Sequence, residues 1–437
     1  MSAPSSRLWS NDLMDELLDP LLDPVRFKGY PPAAPPMRRS QVGAQGWNLL
    51  AGDLPLPLAV IRREALAHNL GWMQRLVDGA GIGFAPHGKT TMSPQLFQAQ
   101  LAAGAWGITF ANVQQLAVGV VAGVRRALIA NQVLQAADLA ALAALMRGCP
   151  ALRAPFLVDS LEQVALIEAA GAAVPFEVLV ELGLPGGRTG VRDDAAALAL
   201  ARRIHASPAL RLAGVEAYEG LWATGEDAGD AALVDGLMGR LHALVTAAEA
   251  ESLFEADDII VSAGGSAVFD LVAQGLRPLQ TARPVQALLR SGCYVTHDDG
   301  AYRRYVQAVN RRLGCAEASG LRAALEVWCV VQSCPEPGLA ILGAGKRDAS
   351  ADWGMPVPVK VARAGERHAC AAPSAWAIDK MNDQHAYLKL NGAGDSLQVG
   401  DRVALGISHP CTTFDKWRWM AVVDEAYTVV DALTTHF

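Results

Sequence analysis

Residues 175–220 read PFEVLVELGLPGGRTGVRDDAAALALARRIHASPALRLAGVEAYEG. Two short apolar runs, Phe176–Leu182 and Leu212–Tyr218, flank Asp194–His205, which reads as a helix. Neither run keeps the strict polar–apolar alternation of a half-buried strand, so both are expected to be covered on two faces. The same unit repeats outward in both directions. Gly81–Ala85, Trp106–Phe110, Ala127–Ala130 and Pro155–Val158 precede it as strands, and Asp258–Ser262 and Val285–Arg290 follow. Helices fall between them: Leu66, Leu70, Met73 and Val77 share one helical face, and Ser93-Pro94 opens another helix with proline at its first position. Eight such strands over about 230 residues have the size of an α/β barrel of the (β/α)8 TIM type. An open doubly wound sheet is the competing arrangement. The strand count and the position of the polar loops favour the barrel.

Past residue 300 the pattern changes. Leu325–Val331, Leu339–Leu342, Val357–Val361, Tyr387–Leu390, Arg402–Ile407 and Met420–Val423 are strand-like runs separated by Gly, Pro and Asp turns. The predicted domains are an N-terminal extension (1–50) that in part joins the β region, a barrel (51–300) and a mostly β C-terminal domain (301–437). Tyr30–Pro36 is a proline-rich connector. The 437 residues are 51% hydrophobic and 19% charged, as in a globular enzyme, and the net charge of −7 argues against a nucleic-acid partner. Arg38-Arg39, Arg125-Arg126 and Arg311-Arg312 read as solvated faces. No apolar run is expected to cross a membrane, and the opening MSAPSS lacks the basic start of a signal peptide. Seven scattered cysteines fit reduced thiols in the cytoplasm.

In such a barrel, chemistry gathers at the carboxyl ends of the strands. There the sequence places Pro86-His87-Gly88-Lys89-Thr90, Gly186–Gly190, Tyr218-Glu219-Gly220, Ser262–Ala267 and Ser291–Tyr294. Gly264-Gly265-Ser266 follows the seventh strand, where barrels often bind phosphate through backbone N–H groups. Lys89 is the only lysine between residues 29 and 345. A lysine on the rim of an apolar barrel is expected to be partly desolvated, which favours its nucleophilic neutral form. Facing a phosphate site, it suits either a Schiff base with a phosphorylated aldehyde or simple cationic binding of a sugar phosphate.

The Pro86–Thr90 segment resembles the cofactor-lysine motif of the D-threonine aldolase and D-serine dehydratase family. These are fold-type III pyridoxal-phosphate enzymes related to alanine racemase. The likeness continues in order through Val158-Asp159-Ser160, Gly187–Val191, Glu216–Gly220, Ser262–Ser266, Gly292–Val295, Gln384-His385 and Ser408–Cys411. It implies that Lys89 holds pyridoxal 5'-phosphate and shuttles the substrate α-proton. It further implies that Gly264, Gly265, Ser266, Gly292 and Tyr294 hold the phosphate, that Arg188 and Tyr218 lie near the pyridine ring, and that homodimers form the site. His87 either orients the cofactor or makes a structural hydrogen bond.

His409-Pro-Cys411 is the second constellation. On an extended segment residues i and i+2 point the same way, so imidazole and thiolate can grip one cation. In the dehydratase branch, a His-x-Cys pair near the C-terminus binds a divalent metal. Zinc suits the donors best, with manganese or magnesium as alternatives. The aldolase branch carries an oxygen ligand at the second position, so Cys411 points to dehydration. His297-Asp298 is expected to be structural, Trp417 and Trp419 to pack in the β domain, and His385 either to line the site or to be structural. The family commonly has Arg before Pro-His and His after Lys-Thr, where this chain has Ala85 and Thr91. That departure marks a divergent branch loosely described as amino acid deaminases. The expected reaction is dehydration of a D-3-hydroxy amino acid such as D-serine, D-threonine or 3-hydroxy-D-aspartate. Retro-aldol cleavage to glycine and an aldehyde, and non-catalytic cofactor binding, are the alternatives.

Overall fold

Eight parallel strands form the sheet at the centre of the molecule: β1 (Gly83–Phe84), β2 (Ile108–Phe110), β3 (Ala127–Gln132), β4 (Phe156–Val158), β5 (Phe176–Leu182), β6 (Leu210–Ala217), β7 (Ile259–Ala263) and β8 (Val285–Leu289). The computed structural model describes residues 11–437 except 172–173, 278 and 393–395. The opening MSAPSS, read as arguing against a signal peptide, lies outside the described residues. Around the sheet the order is β1-β8-β7-β6-β5-β4-β3-β2. The ring closes between its end strands, where the Trp106 N–H donates to the Phe84 carbonyl at 2.7 Å and His87 bridges Thr109. This is the expected barrel. Ala85, Leu128, Leu157, Leu179, Ala213, Ile260 and Leu288 pack together as its filled interior. Their neighbours along the strands, such as Val178 and Val180, are equally buried beneath the helices. Burial on both faces accounts for the missing alternation.

Local chemistry sets several helix starts. Asn112, Ser160 and Asp193 each accept a backbone N–H three residues on. Ser93 precedes its helix as expected, but its hydroxyl donates to Gln95 and makes no cap bond. Asp227–Ala250 is long and apolar enough in length and composition to cross a membrane, contrary to the expectation that no segment is. It is the helix linking β6 to β7 of the barrel.

In the second domain, Leu325–Glu336 is the central strand. It runs antiparallel to Arg402–Gly406, Leu339–Leu342 and Leu58–Arg62. Leu58–Arg62 lies ahead of the barrel in sequence yet belongs to this sheet, where it also pairs in parallel with Trp419–Val423. The segment before residue 50 reaches the same domain: Gly43 lies against the Val430 carbonyl with no room for a Cβ, and Asn48 bridges Thr428. Trp417 and Trp419 are fully buried here, their indole N–H groups donating to the carbonyls of Asp348 and Lys28.

The helix Ala301–Arg312 connects the two domains. Arg312 makes a bidentate pair with buried Asp270 at 2.7 and 2.8 Å, so it is not the solvated residue its Arg311-Arg312 doublet suggested. Asp298 Oδ1 accepts the N–H groups of Gly300, Tyr302 and Arg303 at the start of this helix. His297 and Asp298 are thus structural, although they lie in a turn, with His297 at φ 47°, and not in a strand.

Burial pushes Asp298 up to about 8 and His297 down to about 4. Between pH about 6.5 and 8 the folded chain keeps a proton on Asp298 that the unfolded chain holds on neither group. Stability is therefore expected to fall by about 2 kcal/mol as pH rises across that window. Below it, unfolded His297 and folded Asp298 each hold one proton and the contributions balance. Urea midpoints measured against pH check this. Asp298→Asn should remove this share of the slope between 6.5 and 8, leaving a shallower fall than the wild type's, with the His297 share appearing below 6.5.

Candidate active site

The loops that follow β1, β5, β6, β7 and β8 surround one cavity of about 360 Å³ on a single rim of the barrel. Helix 301–312 and two β-domain loops close its side through Tyr302, Trp353, His409 and Cys411. Of the sequence-predicted residues, His87, Lys89, Arg188, Tyr218, Gly264, Gly265, Ser266, Gly292, His409 and Cys411 all line it. Tyr294 does not. The loop after β8 folds into a 3-10 turn, Cys293–Val295, which turns the Tyr294 ring down onto Phe84 at 5.1 Å and its hydroxyl toward Gln100.

Lys89 stands in a 3-10 turn, Gly88–Thr90, whose other two residues are buried. Gly88 is forced, because a Cβ there would lie 2.8 Å from Ile108. The turn projects Lys89 outward, where it is exposed and, among the described residues, makes no ion pair. The expected desolvation of this amine is not provided by the chain itself. His87 beside it is held neutral: burial drives its pKa well down, and the Lys89 charge adds to this.

The glycines make a cradle. A Cβ on Gly265 would stand 2.8 Å from the Tyr218 ring, and one on Gly292 would stand 2.5 Å from Thr90 Oγ1. Ser266 Oγ accepts the Cys293 N–H at 3.3 Å, and Ser291 Oγ donates to the Gly265 carbonyl at 2.7 Å, so the two loops are tied together. The N–H groups of Gly264 and Gly265, expected to serve a phosphate, instead donate to buried Glu219 at 3.2 and 2.7 Å. These glycines supply room, and Glu219 fixes the loop.

Arg188 lies 5.2 Å from the Tyr218 ring centre. Burial raises the Tyr218 phenol to about 12, so it stays protonated. Arg192 braces the Arg188 loop by donating to the carbonyls of Gly187 and Gly190 at 2.8 and 2.6 Å. Beneath the cavity Arg290 pairs with Glu216 and donates to the Ala217 carbonyl at 3.0 Å. Both charges are almost fully buried. Burial raises Glu216, with Arg290 opposing the shift.

On the β-domain side, His409 and Cys411 converge as expected, but not on an extended segment: Pro410 is in the helical region and Cys411 opens a short helix, Cys411–Phe414. Cys411 Sγ lies 3.5 Å from Thr90 Oγ1, beside the Lys89 turn. His409 Nδ1 is 2.7 Å from Asp352 Oδ2, and its ring stacks on Trp353 at 4.7 Å. A third donor, Cys293, joins them, with all three ligand atoms within 4.8 Å of one another. All seven cysteines are free thiols. His385 is exposed and does not line the cavity.

The residues fit both implied groups. The volume suits a small cofactor with substrate. The glycine cradle admits a bulky anion, and Arg290 Nε and His87 Nδ1 face this region buried and without partners. A nitrogen–sulfur donor set suits zinc. Sequence reasoning quoted Glu216 and Cys293 within motifs but gave them no role, and it missed Arg290, Asp352 and Trp353 as site residues. An arginine ending the apolar run Val285–Arg290 was an available signal for the first of these three, because a charge there must find a buried partner. Asp352 and Trp353 carry no motif.

Residues 61–284 match the family described as "Alanine racemase, N-terminal domain", and residues 324–423 that described as "Putative serine dehydratase domain". A D-threonine aldolase from Arthrobacter sp is 28% identical over 372 residues, 84% of this chain and 88% of that protein. D-threo-3-hydroxyaspartate dehydratase from Delftia sp. (strain HT23) is 34% identical over 171 residues, 38% of this chain and 44% of that one. Its solved structure covers 89% of this chain and 99% of its own at a TM-score of 0.68 and 26% identity. With its alanine-racemase-type barrel and serine-dehydratase-type β domain, the chain belongs to the fold-type III pyridoxal-phosphate enzymes, in the family of D-threonine aldolase and D-serine dehydratase.

Proposed function

We propose that the chain is a metal-assisted dehydratase that converts a D-3-hydroxy amino acid, such as D-serine or D-threonine, to a 2-oxo acid and ammonia. The observation that carries this reading is the meeting of Lys89 with the His409–Cys411 pair across one cavity. Pyridoxal phosphate, when bound, accepts the electron pair released at the α carbon, while a divalent ion, zinc by its donors, polarises the β-hydroxyl.

The chain's own residues do the rest. Lys89 Nζ would hold the cofactor and is the group that would take the α-proton. His87, neutral and half-buried beside it, offers an uncharged nitrogen that orients without competing for that proton. Ser266 and the Gly265 and Gly292 surfaces would receive the phosphate, with Arg188 and Tyr218 available to the ring. His409 and Cys411 hold the metal. Asp352 accepts the Nδ1 proton of His409 and so presents Nε2 as the ligand atom. Loss of the α-proton and the β-hydroxyl amounts to loss of water, and hydrolysis of the dehydrated amino acid releases ammonia.

Retro-aldol cleavage is the second reading, supported by the D-threonine aldolase relative that spans most of the chain. Purified holoenzyme incubated with D-serine, D-threonine and D-3-hydroxyaspartate separates the two. A 2-oxo acid with ammonia supports dehydration, and glycine with an aldehyde as main products overturns it. A protein that binds the cofactor but is inert toward all three substrates is non-catalytic. Activity unchanged after thorough chelation removes the metal from the scheme. Asp352→Asn keeps the shape but weakens the hold on His409, and is expected to lower metal affinity and turnover by ~10–100-fold. Dialysis against graded chelator, with metal analysis, reads the affinity. The reading places the enzyme in the cytoplasm, consistent with seven free thiols, as a homodimer. Sedimentation tests the latter.

A further inference from the structure

We propose that Cys293 is a third protein ligand of the metal, giving a two-cysteine, one-histidine site that ties the barrel to the β domain. This rests on the metal-assisted reading above and extends it. Cys293 belongs to the loop after β8, 116 to 118 positions away from His409 and Cys411 in sequence, so only the docking of the two domains unites them. Its Sγ lies 3.5 Å from Cys411 Sγ. That is far beyond the ~2.05 Å of a disulfide. It is close to the ~3.8 Å that separates two sulfurs bound at 2.3 Å to one tetrahedral zinc.

The placement is built, not incidental. Gly292 must lack a side chain because Thr90 Oγ1 and the His87 carbonyl press on it at 2.5 and 2.8 Å from a hypothetical Cβ. The preceding backbone therefore lies flush on the Lys89 turn, and Ser266 fixes the Cys293 N–H from the other side. The side chain is left to point at Cys411, and Cys293 is buried, with 6% exposure. A buried thiol facing a second thiol and an imidazole already oriented by Asp352 has the composition of a zinc site with three protein ligands and one open position. Such an open position, on the wall shared with Lys89, is where a substrate hydroxyl can bind.

The experiment uses the full-length holoenzyme, reduced, stripped of metal and titrated with cobalt(II). Sulfur-to-cobalt charge-transfer absorption grows with the number of thiolates bound. The expected result is a wild-type intensity of two thiolates, about halved in both Cys293→Ser and Cys411→Ser, with cobalt affinity lowered ~100-fold or more in each, since ligand loss should exceed the 10–100-fold cost of losing an outer-shell partner. X-ray absorption of the zinc-loaded wild type, which needs no variant, should find two sulfurs and one imidazole nitrogen from the protein. One sulfur in the wild type, or Cys293→Ser binding with unchanged affinity and intensity, overturns the third ligand and leaves the His409–Cys411 site standing. No binding by the wild type overturns both.

Discussion

Lys89→Ala is expected to lose turnover by about 10⁴-fold or more, with little change in thermal stability. The two halves of the prediction come from different observations. The side chain is exposed and, among the described residues, unpaired, so its removal opens no cavity and orphans no partner. Surface truncations of that kind cost within about 0.5 kcal/mol. In the proposed reaction, by contrast, its amine is the cavity-lining group placed to take the α-proton. His87 is held neutral, its proton affinity depressed by burial and by the Lys89 charge, and the guanidinium groups of Arg188 and Arg290 offer donors only, with no lone pair to accept a proton. Lys89→Arg should be as inactive as the alanine variant, because the charge is kept and the proton transfer is not. Borohydride treatment of the wild-type holoenzyme should fix the cofactor on the peptide containing residue 89, and in neither variant. Turnover within tenfold of wild type, or trapping elsewhere, would falsify the assignment.

Arg290→Ala should be the most destabilising substitution at the site, at about 3–5 kcal/mol. Arg290 and Glu216 come from β-strand ends at the bottom of the cavity, with 4% and 1% of their side chains exposed. Removing the guanidinium leaves a carboxylate in a place water does not reach, and its neighbours Glu181 and Glu219 raise its pKa further. Glu216 would then take up a proton, so the loss should be smaller at low pH than at high pH. Removing both, in Arg290→Met with Glu216→Leu, should cost clearly less than Arg290→Ala alone, since two apolar groups replace two desolvated charges. Chemical denaturation of the three variants measures each cost. Equal losses in the single and double variants would mean that packing, not charge, dominates here.

The barrel was legible because its strands repeat one local pattern, and Phe176–Leu182 and Asp194–His205 were read to the residue. What stayed hidden depends on partners remote in sequence. Leu58–Arg62 was placed in the barrel domain by its position in the chain, and only its pairing with Leu325–Trp328 puts it in the β sheet. Val429–Thr434 and the helix Ala301–Arg312 were missed, the helix in spite of Asp298-Asp299-Gly300 ahead of it and Gly314 behind it, because His297-Asp298 first reads as an acid–base pair. In the site, the rim loops were legible from glycine and polar content. The orientation of Tyr294 was not, because a 3-10 turn breaks the two-residue alternation that places neighbours on opposite faces. Nor could sequence show that Glu219 takes the Gly264 and Gly265 amides, a contact that spans two loops.

The strand Leu58–Arg62 carries a cost in biosynthesis. Leu58, Ala59, Val60 and Ile61 are wholly buried, yet both strands that cover their edges, Leu325–Glu336 and Trp419–Val423, emerge from the ribosome only after the whole barrel has been made. A nascent chain must therefore carry an open, sticky ribbon near its start through most of translation. Messages truncated before residue 419 should yield aggregates or chaperone-bound product even where the barrel itself has closed.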